Sequence, residues 1–291
     1  MSVQDGGDAA GFRFVPDRIY RMPVLFGPTP GPRQRLDDSR WHGAPSPLQT
    51  TVWADFPAEP GKLEAFLPEG FRLDGEPTVR VRFRYLSRIA WLAGRGYNIL
   101  DLAVPVTYEG RQERVSGDLV LVLWESLADP IISGREELGY AKLYAEIPPM
   151  RGAAENGHVA AHASWDGFTF AELAIDGIGA PERIGAPEAP GSGDADAPLL
   201  HVKYVPSTTN PGTPDAHYVT VTPPDYPKRR VLDRRSGSRA TVTFTAGDFD
   251  RLPTLHHITG PLAGLGLSET SACGVLTTLG GKDLSDQYTA I

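Results

Sequence analysis

The sequence has only five lysines, and the side-chain amine of a lysine can act as a nucleophile. Among the 28 basic side chains, the lysines are Lys62, Lys142, Lys203, Lys228 and Lys282, and all the others are arginines. Arginine stays protonated in proteins, whereas a lysine amine can lose its proton when burial or a nearby charge lowers its pKa. A lysine in an apolar setting is therefore a candidate nucleophile for a carbonyl carbon.

Lys142 has the most apolar surroundings of the five. It lies in GYAKLYAEI at 139–147, where a desolvated amine would have a lowered pKa and could form a Schiff base. On strand periodicity Tyr140 shares its face and could line a pocket. The alternative is a lysine on an edge strand that extends its amine into solvent. Turn-like surroundings predict solvated side chains for Lys62, Lys228 and Lys282.

Motifs for metal and nucleotide chemistry are absent from the sequence. It has no Walker-type glycine loop and no HExxH, GxSxG or CxxC motif, and Cys273 is its single cysteine. His158 and His162 fit a strand as well as a helix, while His256 and His257 would point to opposite faces of an extended segment. We therefore predict no metal site and no cofactor.

Composition and charge exclude several classes of protein. The 291 residues are 41% hydrophobic and 22% charged, with a net charge of −8, which is typical of a folded domain and unfavourable for nucleic-acid binding. No apolar run is long enough to cross a bilayer, and the opening MSVQDGGDAAG lacks the features of a secretion signal. The sequence predicts a cytoplasmic protein with neither a nucleic-acid nor a membrane partner.

Short strands dominate the predicted secondary structure. Residues 78–85 (TVRVRFRY) alternate apolar and arginine side chains, which predicts a strand with one buried and one solvated face. The apolar run DLVLVLW at 118–124 predicts a strand buried on both faces, and residues 59–67 predict a short helix. Further strands are predicted at 50–56, 99–108, 158–165, 199–205, 217–222, 240–245 and 273–279.

A single α+β domain with predominantly antiparallel strands is predicted for residues 1–291. The stretch 176–198 is rich in Gly, Pro, Ala and acidic residues, so it predicts a mobile surface loop. A domain boundary there is the alternative, although the strands on either side look alike.

The segment around Lys142 resembles the active-site segment of the acetoacetate decarboxylase family. DPIISGREELGYAK at 129–142 contains the Gly-Arg-Glu that precedes the family's Schiff-base lysine. Weaker similarities at 66–70, 103–106 and 249–264 occur in the family's order. The resemblance implies a cone-shaped closed β-barrel with surrounding sheet and few short helices, Lys142 as the nucleophile inside it, and assembly as a homo-oligomer.

Several positions depart from the decarboxylase pattern. Leu143 stands where decarboxylases have a second lysine that lowers the pKa of the first, and Ala141 replaces a proline. Pro57 and Ile99 stand where an arginine and a glutamate handle the substrate. The resemblance therefore implies Schiff-base chemistry without the groups that decarboxylate acetoacetate.

The segment GLGLSETSACGV at 264–275 resembles a subgroup of the family that performs pyruvate aldol-dehydration or cyclodehydration in specialised metabolism. The resemblance makes Glu269 a candidate proton carrier, in a partly buried setting that would raise its pKa, and a turn or helix cap is the alternative. Arg135 is a candidate ligand for a substrate carboxylate, with a structural ion pair as the alternative. Relatives have a glutamine at the position of Leu138.

The predicted function is that of a Schiff-base lyase acting on a small 2-oxo acid through an enamine. Aldol condensation with dehydration and cyclodehydration are the two reactions that fit. An acetoacetate or β-keto-acid decarboxylase is one alternative, and a ligand-binding protein without catalytic activity is another.

Overall fold

The structure, a computed structural model, describes residues 11–37, 41, 45–182, 197–224, 229–267, 269–282 and 284–291. The strands are β1 (Leu48–Pro57), β2 (Phe71–Leu73), β3 (Thr78–Ser87), β4 (Tyr97–Glu109), β5 (Arg114–Glu125), β6 (Lys142–Tyr144), β7 (Arg151–Ala153), β8 (His158–Trp165), β9 (Phe168–Asp176), β10 (Leu199–Pro206), β11 (Pro214–Thr222), β12 (Arg230–Ser236), β13 (Arg239–Phe244), β14 (Ala272–Leu279) and β15 (Tyr288–Thr289). The α-helices are α1 (Pro60–Glu64), α2 (Ala128–Ser133) and α3 (His256–Ala263), a π-helix spans Gly134–Leu138, and short 3₁₀ turns span Val24–Phe26, Ala90–Leu92 and Ala154–Asn156.

The prediction of a mostly antiparallel β fold with few short helices is confirmed. Every strand predicted from periodicity is present, whereas the predicted helix at 59–67 is shorter and His256 and His257 begin α3 instead of lying in an extended segment. The sequence did not predict β12, because its RVLDRRS lacks apolar alternation, and it also did not predict β2, β7, β9 and β15. Residues 183–196 of the predicted loop lie outside the described residues. Within the described part of the chain, no helix is long and apolar enough to span a membrane.

The strands form two sheets. The larger follows the order β12-β14-β1-β3-β4-β5-β10-β11-β15, with β2 beside β4 and β6 beside β5, and the smaller follows β13-β9-β8-β7. Neighbouring strands are antiparallel except where β5 pairs with β6 and with β10. Over the described residues the larger sheet is an open path, so its closure into a cone-shaped barrel stays a prediction.

The main hydrophobic core lies against one face of the larger sheet. Val81 and Phe83 of β3 and Trp124 of β5 are fully buried there. The smaller sheet packs onto the same core, since the ring centroid of Phe170 lies 4.9 Å from that of Trp124. The opposite face of the larger sheet remains available for a site.

The arginine face of β3 is not solvated as predicted. Arg82 Nε donates to Asp101 at 2.7 Å, and its side chain is only 2% exposed. Arg84 Nε lies 2.9 Å from the same carboxylate, and Arg80 donates to Asp118 at 2.8 Å. The prediction was wrong because carboxylates on β4 and β5 stand opposite the arginines, so the second face of the sheet buries paired charges.

A β-bulge in β5 decides which of its side chains reach that second face. The pairing of β5 with β4 changes register at Leu102, which leaves Leu121 as the extra residue. Val120 and Leu123 therefore lie on the same face although they are three residues apart. The bulge also brings Glu125 onto that face, as bulges commonly redirect side chains near functional sites.

We expect Asp101→Ala to lower the free energy of unfolding by about 3–5 kcal/mol, because it leaves the buried guanidinium of Arg82 without its closest carboxylate. Urea unfolding at neutral pH measures the loss. The matched control is Glu109→Ala, which breaks an exposed pair with Arg72 and should cost at most about 1 kcal/mol. Equal losses in the two variants would contradict this account of the charged face.

Candidate active site

A cavity of about 300 Å³ lies on the second face of the larger sheet. Side chains from β1, β3, β4, β5 and β6 line it, together with Trp91 and Trp41 from the segments around β1 and β3. Five basic and three acidic side chains are in the lining: Arg82, Arg84, Lys142, Arg229 and Lys282, and Asp101, Asp118 and Glu125. In a chain with a net charge of −8, this excess of positive charge favours an anionic ligand.

Lys142 is buried in this cavity, with 5% of its surface exposed. It begins β6, which places it beside Leu123 of β5. Its Nζ lies 2.9 Å from Glu125 Oε1 and donates to the backbone oxygen of Pro130 at 3.0 Å. The ring centroid of Tyr140 is 5.2 Å from the same nitrogen. The amine is therefore shielded from solvent and contacted by Glu125, Pro130 and Tyr140.

Two glycines of the segment before Lys142 are required by its geometry. A Cβ on Gly134 would lie 2.4 Å from Lys142 Cδ, so any side chain there would displace the lysine. Gly139 ends the π-helix with a φ of +77°, which L side chains rarely adopt. The Gly-Arg-Glu motif thus lies in a π-helix, a form often found at functional sites.

Glu125 is the acidic partner of Lys142, and sequence reasoning missed it. Burial raises the pKa of its carboxyl, and the ammonium of Lys142 counteracts that rise. Neither carboxyl oxygen accepts a well-directed hydrogen bond from the described residues. The carboxyl can therefore hold or release a proton within reach of the amine. The available signal was its place at the end of a strand buried on both faces.

Tyr140 lines the cavity and stacks on His201, with ring centroids 3.9 Å apart and planes inclined by 19°. The Tyr140 hydroxyl lies 2.7 Å from Thr222 Oγ1. His201 is fully buried, and neither ring nitrogen has a hydrogen-bond partner among the described residues. Burial, aided by the positive charge of Lys142, lowers the pKa of His201 to about 3. The imidazole is therefore neutral. The sequence contained no signal that His201 would be buried against Tyr140.

Arg135 and Glu269 lie outside the cavity lining. Arg135 is exposed, and its Nη1 donates to the backbone oxygen of Lys142 at 2.9 Å, so it supports the strand of the lysine. Glu269 is exposed between α3 and β14. The expected partial burial of Glu269 is wrong, because its side chain is exposed while neighbouring apolar residues such as Leu265 make the contacts with the core.

The other lysines differ in part from their predicted solvated positions. Lys62 is exposed as predicted, and Lys228 lies outside the described residues. Lys282 instead lines the cavity, with its Nζ 3.0 Å from Asp286. Its turn-like sequence did not reveal this, because the cavity wall comes from a distant part of the chain.

His201→Phe should remove an acid-dependent loss of stability. Because the folded pKa is about 3 and the ordinary value is about 6.5, only the unfolded chain gains this proton at intermediate pH. Stability is lost as the pH falls through that range. Between pH 7 and pH 5 the parent should lose about 2 kcal/mol more of its unfolding free energy than His201→Phe.

Urea unfolding at the two pH values measures this difference. Phenylalanine keeps a ring against Tyr140, and the matched control His217→Phe changes an exposed histidine of β11. The control should follow the parent. The same pH dependence in the parent and His201→Phe would contradict a neutral buried His201.

Comparison with solved structures shows which fold this is. An acetoacetate decarboxylase from Legionella pneumophila is 18% identical over 84% of this chain and 90% of that chain, with a TM-score of 0.59. The enduracididine biosynthesis enzyme MppR with HEPES bound is 17% identical over 85% and 88%, with a TM-score of 0.59. Another acetoacetate decarboxylase structure is 16% identical over 94% and 95%, with a TM-score of 0.63.

Sequence comparison gives the family. No curated protein matches the chain. The family model of Acetoacetate decarboxylase (ADC) matches residues 22–269, a range that includes Lys142, Glu125 and the strands that carry them. This protein therefore belongs to the acetoacetate decarboxylase family.

Proposed function

We propose that this protein is a lyase that forms a Schiff base between Lys142 and the carbonyl carbon of a small 2-oxo acid. The observation that carries the proposal is the buried contact of 2.9 Å between Lys142 Nζ and Glu125 Oε1. A carboxyl whose pKa is raised by burial can accept the proton of the ammonium and leave a neutral, nucleophilic amine.

Related structures support a 2-oxo acid as the ligand. MppR has been solved in complex with pyruvate, and with the condensation product of pyruvate and imidazole 4-carboxaldehyde. The basic lining of the cavity suits the carboxylate of such an acid. Arg84 is the better candidate for that contact than Arg135, because it lines the cavity while Asp101 holds its guanidinium in place.

The proposed reaction uses Glu125 at each proton transfer. Glu125 takes a proton from the Lys142 ammonium, and the neutral amine adds to C2 of the substrate. Glu125 gives its proton to the alkoxide that forms and takes another from the added nitrogen, which completes the carbinolamine. Glu125 returns the proton to the carbinolamine hydroxyl, which leaves as water and gives an iminium. Glu125 then removes a proton from C3, and the C–H electrons form an enamine. The enamine either bonds to an aldehyde carbon, whose oxygen takes the proton from Glu125, or expels a β-hydroxyl group, which takes that proton and leaves as water. Hydrolysis of the remaining iminium releases the product and restores the Lys142 amine.

Decarboxylation of a β-keto acid is the second candidate, because the family match spans the lysine. It would use the same iminium, with the electrons supplied by the breaking C–C bond to the carboxylate. The neighbour of the amine is a carboxyl group and the next residue is Leu143, which favours proton transfer over decarboxylation. Assembly as a homo-oligomer stays a prediction.

Covalent trapping tests the Schiff base directly. Incubation with pyruvate and borohydride should add one reduced pyruvate to the intact mass of the parent and nothing to Lys142→Ala. Lys203→Ala is the matched control, because Lys203 lies on β10 and its Nζ donates to the backbone oxygen of Glu136. It should keep the adduct. Absence of an adduct with every 2-oxo acid tried would favour a non-catalytic binding protein, and CO₂ release from acetoacetate would favour the decarboxylase.

Exchange of the C3 hydrogens of pyruvate in D₂O tests the role of Glu125. We expect Glu125→Gln to slow this exchange by about 10²–10⁴-fold, the usual contribution of a general base. Exchange by the parent should fall with acid at a pH above the ordinary glutamate pKa of about 4.3, because burial raises the pKa of Glu125 and only its carboxylate can remove the proton.

The matched control for that experiment is Glu269→Gln, which changes an exposed glutamate outside the cavity. Proton NMR of pyruvate follows the exchange in both variants. If Glu269→Gln loses exchange and Glu125→Gln retains it, the proton carrier is Glu269 and the assignment to Glu125 is overturned.

A further inference from the structure

A second, small apolar cluster lies on the cavity face of the larger sheet, apart from the main core. Ile99, Ala103, Val120 and Leu123 are buried in it. Leu86, Tyr97 and Leu199 pack against them. Six of these residues line the cavity and form what we call the apolar wall: Leu86, Tyr97, Ile99, Val120, Leu123 and Leu199.

The apolar wall begins beside the reactive pair. In the strand register Leu123 stands opposite Lys142, and Ile99 stands opposite Glu125. Neighbouring strands are about 4.8 Å apart, so both side chains adjoin the pair on the same face. The wall continues along β5 through Val120. A group attached to the carbon next to the Schiff base would therefore meet hydrocarbon.

The cavity face also has a polar part, which makes its lining two-sided. Arg82 and Arg84 of β3 lie next to the apolar wall and are held by Asp101. Apolar surface with a few fixed polar groups is the usual composition of a small-molecule site. The polar part suits a carboxylate, whereas the aliphatic side chains of the apolar wall give a second carboxylate no partner.

The cavity volume of about 300 Å³ is at the lower limit of sites for drug-sized ligands, about 300–1,000 Å³. A three-carbon acid would leave much of the wall in contact with water. Each methylene group that covers such a wall improves binding by about fourfold, the equivalent of about 0.8 kcal/mol. The lining therefore binds a substrate with a hydrocarbon substituent more tightly than one without it.

We infer that the substrate is a 2-oxo acid with an apolar side chain of several carbons, branched or aromatic, which lies against the apolar wall while Lys142 holds its carbonyl carbon. This inference rests on the proposed Schiff-base function and names its substrate class. Pyruvate binds in the same way but leaves the wall uncovered.

Borohydride trapping over a range of concentrations tests the inference. The probes are pyruvate, 4-methyl-2-oxopentanoate, phenylpyruvate and 2-oxoglutarate. The concentration that gives half-maximal adduct should be at least tenfold lower for 4-methyl-2-oxopentanoate or phenylpyruvate than for pyruvate. It should not be lower for 2-oxoglutarate, whose side chain ends in a carboxylate. Equal or better trapping of pyruvate or 2-oxoglutarate overturns the inference and leaves the Schiff base intact, whereas no adduct with any probe overturns both.

Variants of Val120 assign the preference to the wall. Val120→Phe fills the space beside Leu123 and should raise the half-maximal concentration for 4-methyl-2-oxopentanoate at least tenfold more than the half-maximal concentration for pyruvate. Val120→Ala removes contact and should raise the value for 4-methyl-2-oxopentanoate about threefold or more. The matched control Val205→Phe makes the same change at an exposed position of β10 and should behave like the parent.

Thermal unfolding of each variant shows whether the variant is folded, which separates a loss of binding from a loss of structure. If Val120→Phe does not fold, Val120→Ala alone decides. Unchanged selectivity in a folded Val120 variant contradicts the role of the apolar wall.

Discussion

The contact between Lys142 and Glu125 is the interaction on which the cavity depends. Two opposite charges removed from water are costly unless they lie close together, and these two lie 2.9 Å apart. Gly134 and the backbone oxygen of Pro130 hold the amine against the carboxyl. Much of the local backbone therefore keeps the Lys142 amine out of solvent and next to a carboxyl group.

The same constraint applies to the rest of the cavity face. Arg82 and Arg84 could not be buried on β3 without acidic partners, and Asp101 supplies one from the neighbouring strand. The bulge at Leu121 then shifts by one residue the alternation of β5 side chains between the two faces, and this shift keeps Glu125 on the cavity face. A regular strand would have turned Glu125 towards the main core. Charge pairing and one extra residue thus place Arg82, Arg84 and Glu125 together on the cavity face of the sheet.

The departures from the decarboxylase pattern fall into two groups by location. Ile99 and Leu138 line the cavity, so those changes alter what a substrate meets. Pro57 lies exposed at the end of β1, and Leu143 packs partly buried against the main core. At these two positions the cavity is therefore lined by hydrocarbon side chains close to Lys142.

Local patterns in the sequence predicted most of the longer strands, and the resemblance of 129–142 to the active-site segment of the acetoacetate decarboxylase family singled out Lys142. Alternation in 78–85, the apolar run at 118–124 and one amine in an apolar segment are properties of neighbouring residues, so they can be read without a fold. Only the tertiary structure decided that Glu125, His201 and the apolar wall lie close to Lys142, because strand pairing brings together residues that are far apart in the chain. Arg135, near the lysine in sequence, faces outward, whereas Arg84 on β3 reaches the cavity. Sequence proximity does not specify which face of a sheet a side chain occupies, since a single bulge or turn reverses it.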